Sequence, residues 1–203
     1  MVEIAKRGAD GVQFDFIRYN DGDVCYCPRC RARFEKRMAR TIEPWPSAIE
    51  KDSELAEAWR VFRCDTISRI VEVISARIRK ETPGVRVSAA VFGNTYAAPH
   101  LVGQDWIPWC EKGWLDFACP MTYNDDCDAY ARSLHAIRKR TSVPLYPGIG
   151  VTVWEPNGPA VVADRLARQM RIGRDLGFEG YTVFELDRIS TEALSRVPVR
   201  VPF

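Results

Sequence analysis

Carboxylates stand at the ends of short apolar runs: Asp15, the adjacent Asp125 and Asp126, and Glu185. Arg18, Tyr19, Asn94, Tyr123 and Trp154 accompany them. Carboxylates ringed by aromatics suit the cleavage of sugar linkages. One acid protonates the leaving oxygen, a second carboxylate attacks or activates water, and flat rings stack on sugar C–H faces. Asp15 is the first choice for a catalytic carboxylate, because it interrupts a strand of apolar neighbours where an unpaired acid is costly. A structural salt bridge to Arg18 is the alternative. Asp125 and Asp126 follow another strand but could equally cap the helix that begins there, and Glu185 could belong to a buried ion pair. The pattern therefore points to Asp15 as nucleophile or base, with Asp125, Asp126 or Glu185 as acid. Arg18, Tyr19, Asn94, Tyr123 and Trp154 are candidates for substrate contact.

A second chemistry is written in Cys25-Tyr26-Cys27-Pro28-Arg29-Cys30. Its C-x-C and C-x-x-C spacings can wrap three thiolates around one structural zinc, with Cys64 or Asp23 as the fourth ligand. Reduced, unligated thiols and a disulfide are the competing readings. The carboxylate chemistry itself requires no cofactor. Seven cysteines is an odd number, and Cys64, Cys110, Cys119 and Cys127 are scattered, so this is not a disulfide-stapled mini-protein.

The elements that must position these groups alternate between strand and helix. Gly11 to Ile17 places Val12, Phe14 and Phe16 on alternate positions. A Cys-, Pro- and Arg-rich insertion, expected to be irregular, fills about 20–52. The stretch from Ser53 to Lys80 carries Trp59, Phe62, Ile67, Ile70, Val71, Ile74 and Ile78 at helical spacing, and Pro83-Gly84 stops it. Strands are expected at Val85 to Phe92, Trp114 to Tyr123, Val143 to Val151 and Gly180 to Leu186. Helices are expected around Gln104 to Lys112, from Asp125 to Arg140, and from Pro159 to Gly177. Trp106 and Trp109 read as packing residues of the first of these.

Strands alternating with helices predict a parallel α/β sheet. An open doubly wound sheet would carry a glycine-rich phosphate loop after its first strand, and no such motif occurs. The expectation is therefore an incomplete (β/α)8 TIM-type barrel holding strands four to eight. Met1 to Gly8 reads as the tail of a helix feeding the strand at Gly11, so the first three units are expected to lie outside this chain. In such barrels the site is built where the strands end, which is where the carboxylates fall.

Three of these strands carry a specific resemblance. Asp10-Gly11-Val12-Gln13-Phe14-Asp15-Phe16-Ile17-Arg18-Tyr19 resembles the fourth-strand signature of the glycosyl-hydrolase-like 10 family of barrel proteins. Gly113 to Tyr123 resembles its sixth strand, and Leu145-Tyr146-Pro147-Gly148-Ile149-Gly150 its seventh. Two departures stand out: Asn20 replaces the proline that commonly follows the Arg-Tyr pair, and the first three strands are absent. The resemblance implies a barrel that hydrolyses a poly- or oligosaccharide. The competing expectations are a non-catalytic carbohydrate-binding remnant, or a half-barrel whose open edges pair in a homodimer.

Composition excludes other classes. A formal charge of +2 gives no strong pull toward nucleic acid, and the basic run from Arg29 to Arg40 reads as a solvated helix face. No apolar stretch approaches the roughly 18 residues of a membrane span. Met1 to Gly8 has no apolar segment of the kind a signal peptide needs.

Overall fold

A computed structural model describes residues 1–20, 25–151, 158–185 and 187–197. Helix α1 (Val2–Ala5) leads into strand β1 (Gly11–Phe14), and the insertion that follows holds helices α2 (Pro28–Met38) and α3 (Ser47–Lys51). The long helix α4 (Ser53–Glu81) precedes β2 (Arg86–Phe92), the short helices α5 (Ala98–Leu101) and α6 (Ile107–Glu111), and β3 (Phe117–Met121). The chain then alternates through α7 (Cys127–Arg138), β4 (Gly148–Gly150), α8 (Pro159–Asp175), β5 (Thr182–Phe184) and α9 (Arg188–Arg196).

Every strand pair is parallel. Strands β1, β2 and β3 lie side by side, with Gln13 opposite Ser88 and Ser88 opposite Phe117. Strands β4 and β5 form a second ladder, with Ile149 opposite Val183. The two ladders meet at Ala118 and Leu145: Ala118 N–H donates to Pro144 at 3.2 Å, and Tyr146 N–H donates to Ala118 at 3.0 Å. The strands therefore follow one another across the fold in chain order. Pro144 and Pro147 explain why the expected strand from Val143 shrinks to three residues, since neither has an N–H to give the ladder. The strand expected to reach Ile17 stops at Phe14, because Phe16 adopts φ 51° and leaves the extended region.

Alternation along the strands decides what each face does. Val12, Phe14, Val87, Ala89, Val91, Ala118 and Ile149 are buried against the helices. They share one core with Ile67, Val71 and Ile78 of α4, Leu134 and Ile137 of α7, and Leu166 and Met170 of α8. The opposite face carries Gln13, Ala90, Cys119 and Met121, which line a cavity.

The insertion is more ordered than its composition predicts. Cys30, Phe34 and Met38 recur every fourth residue along α2 and pack a satellite core with Ile42, Ile49, Leu55, Trp59 and Phe62. Four arginines and a lysine stand among the other residues of α2, so its narrow apolar stripe escapes a reading based on overall hydropathy. Helix α4 spans 29 residues, about 44 Å at 1.5 Å per residue. Its first half serves the satellite core and its second half the main one. No helix among the described residues is long and apolar enough to cross a membrane.

Candidate active site

The cavity on the helix-free face has a volume of about 370 Å³ and opens at the ends of β1, β3 and β5, between Asp15, Phe16, Arg18, Tyr123 and Phe184. Gln13 forms part of its floor. Its amide oxygen accepts from Ser88 Oγ at 3.1 Å and from the Cys119 thiol at 3.6 Å, so two neighbouring strands fix its orientation. Asp15 follows directly on β1 and is exposed, with Oδ1 accepting the Phe16 N–H at 2.8 Å. The acid is thus solvated at the cavity rim, and the expected penalty of burying it among apolar neighbours does not arise.

Phe16 was not singled out from sequence. Its ring is 74% exposed and its φ is 51°. A bulky residue held in the left-handed region costs about 1–3 kcal/mol and marks a position the surroundings enforce. Arg18 lays its guanidinium over the Phe92 ring at 4.9 Å and the Phe16 ring at 5.2 Å. Cationic and aromatic surfaces therefore share one wall.

Tyr123 forms the facing wall. Its ring stacks on Phe184 with centroids 5.3 Å apart and planes at 18°. Gly148 makes this placement feasible, since a Cβ there would stand 2.7 Å from Tyr123 Cε1 and 3.1 Å from the Pro120 carbonyl oxygen. Burial, reinforced by the negative charge of Asp15, pushes the Tyr123 phenol up to about 12. It therefore remains a neutral O–H throughout the neutral range, able to donate a hydrogen bond within the cavity.

Gln104 holds the strand ends beneath this rim, and sequence inspection missed it. It is 1% exposed. Its Oε1 accepts the Phe92 N–H at 2.7 Å and its Nε2 donates to the Ile17 carbonyl at 3.2 Å. One side chain thus satisfies backbone groups at the last residue of β2 and in the segment just beyond β1. Nothing in a single sequence distinguishes such a glutamine from a surface one. Trp106 and Trp109 are buried packing residues as expected, donating to the Phe92 carbonyl at 3.1 Å and Ser68 Oγ at 2.8 Å.

Several expected site residues sit elsewhere. Tyr19 packs against Gly103, whose φ of 61° and missing Cβ leave room for the ring, and beneath the Arg63 guanidinium at 4.9 Å. It anchors the loop rather than lining the cavity. Asn94 closes its own turn, accepting from the N–H groups of Tyr96 at 3.1 Å and Ala97 at 3.0 Å. Asp126 caps α7, accepting from Asp128 N–H at 2.7 Å and Ala129 N–H at 3.1 Å. Those amides hold its carboxyl below the usual range. Asp125 pairs with Arg165 at 2.7 Å in a separate groove shared with Asp164 and Arg168. Glu185 is exposed and follows Phe184 on β5. Trp154 lies outside the described residues.

The thiols divide similarly. The sulfur atoms of Cys25, Cys27 and Cys30 lie within 4.8 Å of one another. Of the two expected fourth ligands, Asp23 lies outside the described residues and Cys64 is instead buried within α4, where its thiol donates to the Pro99 carbonyl at 3.5 Å. Its helical position turns it toward α5 and away from the cluster.

A family model described as Glycosyl hydrolase-like 10 matches residues 1–152, which include Asp15, Arg18, Tyr123 and Gly148. The chain belongs to the glycosyl hydrolase-like 10 family. No curated protein sequence matches it. Among solved structures the chain is similar to bee venom hyaluronidase in complex with a hyaluronic acid tetramer, at 14% identity and a TM-score of 0.47 over 84% of this chain and 59% of that one. A monoclinic crystal structure of bee venom hyaluronidase aligns at 13% identity and a TM-score of 0.38, over 76% of this chain and 54% of that one. The chain thus spans less than two thirds of the length of either structure. As a member of the glycosyl hydrolase-like 10 family, it carries Asp15, Arg18 and Tyr123 around a single cavity.

Proposed function

We propose that this chain contributes the catalytic cavity of a glycoside hydrolase acting on a poly- or oligosaccharide, its sheet being an arc of a (β/α)8 barrel. The observation that carries the reading is one cavity at the strand ends, with Asp15 opposite a Tyr123–Phe184 stack in a chain of the glycosyl hydrolase-like 10 family. Strands that run parallel and neighbour one another in chain order support the barrel arc.

In this mechanism Asp15 attacks the anomeric carbon or activates the water that does, and an acid protonates the departing glycosidic oxygen. Of the three acids considered for that second role, Asp126 is committed to capping α7 and Asp125 to Arg165. Glu185 is assigned the role because it adjoins Phe184 of the cavity wall and is exposed. The rings of Phe16, Tyr123 and Phe184 offer stacking surfaces for sugar C–H faces, and the neutral Tyr123 O–H offers a donor to a sugar oxygen. No cofactor enters these steps.

A second reading, a carbohydrate-binding module without turnover, is favoured by one fact: Asp15 is the one carboxylate among the described residues lining the cavity. Incubating the full chain with a panel of polysaccharides separates the two. New reducing ends support hydrolysis, and the anomer first released reports whether Asp15 attacks directly. Saturable binding without new ends supports the module, and neither binding nor cleavage refutes both.

A further inference from the structure

The insertion contains a cluster that the carbohydrate chemistry does not use. We propose that Cys25, Cys27 and Cys30 form a thiolate metal site that takes zinc. Sulfur ligands of a tetrahedral zinc lie about 3.8 Å apart, as follows from Zn–S bonds of about 2.3 Å. The three sulfurs already stand within 4.8 Å of one another, so closing on an ion requires movements of about 1 Å at most.

The local backbone is built for anionic sulfur. Cys27 is the N-cap of α2 and Pro28 its first helical residue, an arrangement in which the missing proline N–H costs nothing. The N–H groups of Arg29 and Cys30 then turn back onto the Cys27 sulfur.

Charge around the cluster agrees. The first turn of α2 carries no acidic residue, although a helix N-terminus favours negative charge, and Arg29 and Arg31 lie there instead. When zinc displaces three thiol protons to solvent, the ion with its three thiolates carries one net negative charge. That charge sits at the positive end of an 11-residue helix, beside arginines.

The ion would also join the satellite core to the loop that leaves β1. Tyr26, between two ligands, stacks on Trp59 at 5.4 Å and meets Trp45 edge-on at 5.7 Å, while Trp45 Nε1 donates to the Tyr26 carbonyl at 3.0 Å. Metal at the thiols fixes the backbone on both sides of this ring.

The test uses the full chain, reduced, loaded with zinc and passed through metal-free buffer. Expected is about one zinc per chain by elemental analysis, at least tenfold weaker retention in Cys27→Ser and Cys30→Ser, and unchanged retention in Cys64→Ser. Cobalt added to the reduced wild type should give a thiolate-to-metal charge-transfer band, a readout that needs no variant to fold. A reduced chain that retains no zinc and shows no such band overturns the site. Equal loss of zinc in Cys64→Ser and Cys27→Ser overturns the ligand assignment. Neither outcome depends on whether the cavity cleaves sugars.

Discussion

Replacing Gly148 with alanine tests whether the Tyr123 wall is set by packing at β4. The added Cβ would approach Tyr123 Cε1 to 2.7 Å and the Pro120 carbonyl oxygen to 3.1 Å. The ring must move, and its stack on Phe184 moves with it. Overpacking of this kind costs about 1–3 kcal/mol. Alanine recovers about 0.4–1 kcal/mol by restricting the unfolded chain, so the clash wins by roughly 1–2 kcal/mol. For a chain of this size that lowers Tm by roughly 2–8 °C. In a Tyr123→Ala background the ring contact is gone and only the Pro120 approach remains, so Gly148→Ala should there cost close to nothing. Thermal and urea unfolding of the four proteins yields a coupling of about 1 kcal/mol or more. An equal cost of Gly148→Ala in both backgrounds would refute the packing argument.

Two further outcomes follow from groups away from the cavity. Gln104→Met keeps the volume of the side chain but leaves the Phe92 N–H and Ile17 carbonyl unmet. At about 1–3 kcal/mol per unsatisfied buried group, urea unfolding should show a loss of roughly 2–6 kcal/mol, and a loss below about 1 kcal/mol would argue against the clamp. Glu81 accepts from Lys6 at 2.6 Å and Arg77 at 2.5 Å, and these partners hold its carboxyl down to about 2 against an ordinary 4.5. A depressed carboxyl stabilises the fold above its unfolded value and loses that contribution as pH falls through its folded one. Glu81→Gln should therefore be less stable than the wild type at neutral pH, with the difference shrinking between about pH 4.5 and 2. A difference that persists unchanged to pH 2 would contradict the ion-pair origin.

What was legible in the sequence was the part governed by repeating pattern. The 29-residue helix α4, the parallel strands and the packing roles of Trp106 and Trp109 follow from periodicity and from apolar runs. Helix α2 was legible only as a solvated basic face, because three side chains, Cys30, Phe34 and Met38, carry its whole buried stripe among arginines. The site was legible by position along the chain and not by direction. Asp15, Arg18 and Tyr123 reach the cavity, whereas Tyr19, one residue on from Arg18, turns behind the sheet onto Gly103. The turn begins at the left-handed backbone of Phe16, which residue type does not announce. Asp125 and Asp126 illustrate a second limit: an acid after a strand is also an acid before a helix, and here capping and pairing with Arg165 claim them.

The central claim is that Asp15 performs chemistry in a sugar-binding cavity. The most direct test compares the full chain with Asp15→Asn on the same polysaccharide, measuring reducing-end release alongside equilibrium binding. Because Asp15 is exposed and accepts a hydrogen bond from the N–H of its neighbour Phe16, the substitution should leave stability within about 0.5 kcal/mol. The account predicts that turnover falls by about 10²–10⁴-fold while binding changes little. Turnover that survives the substitution unchanged would contradict it.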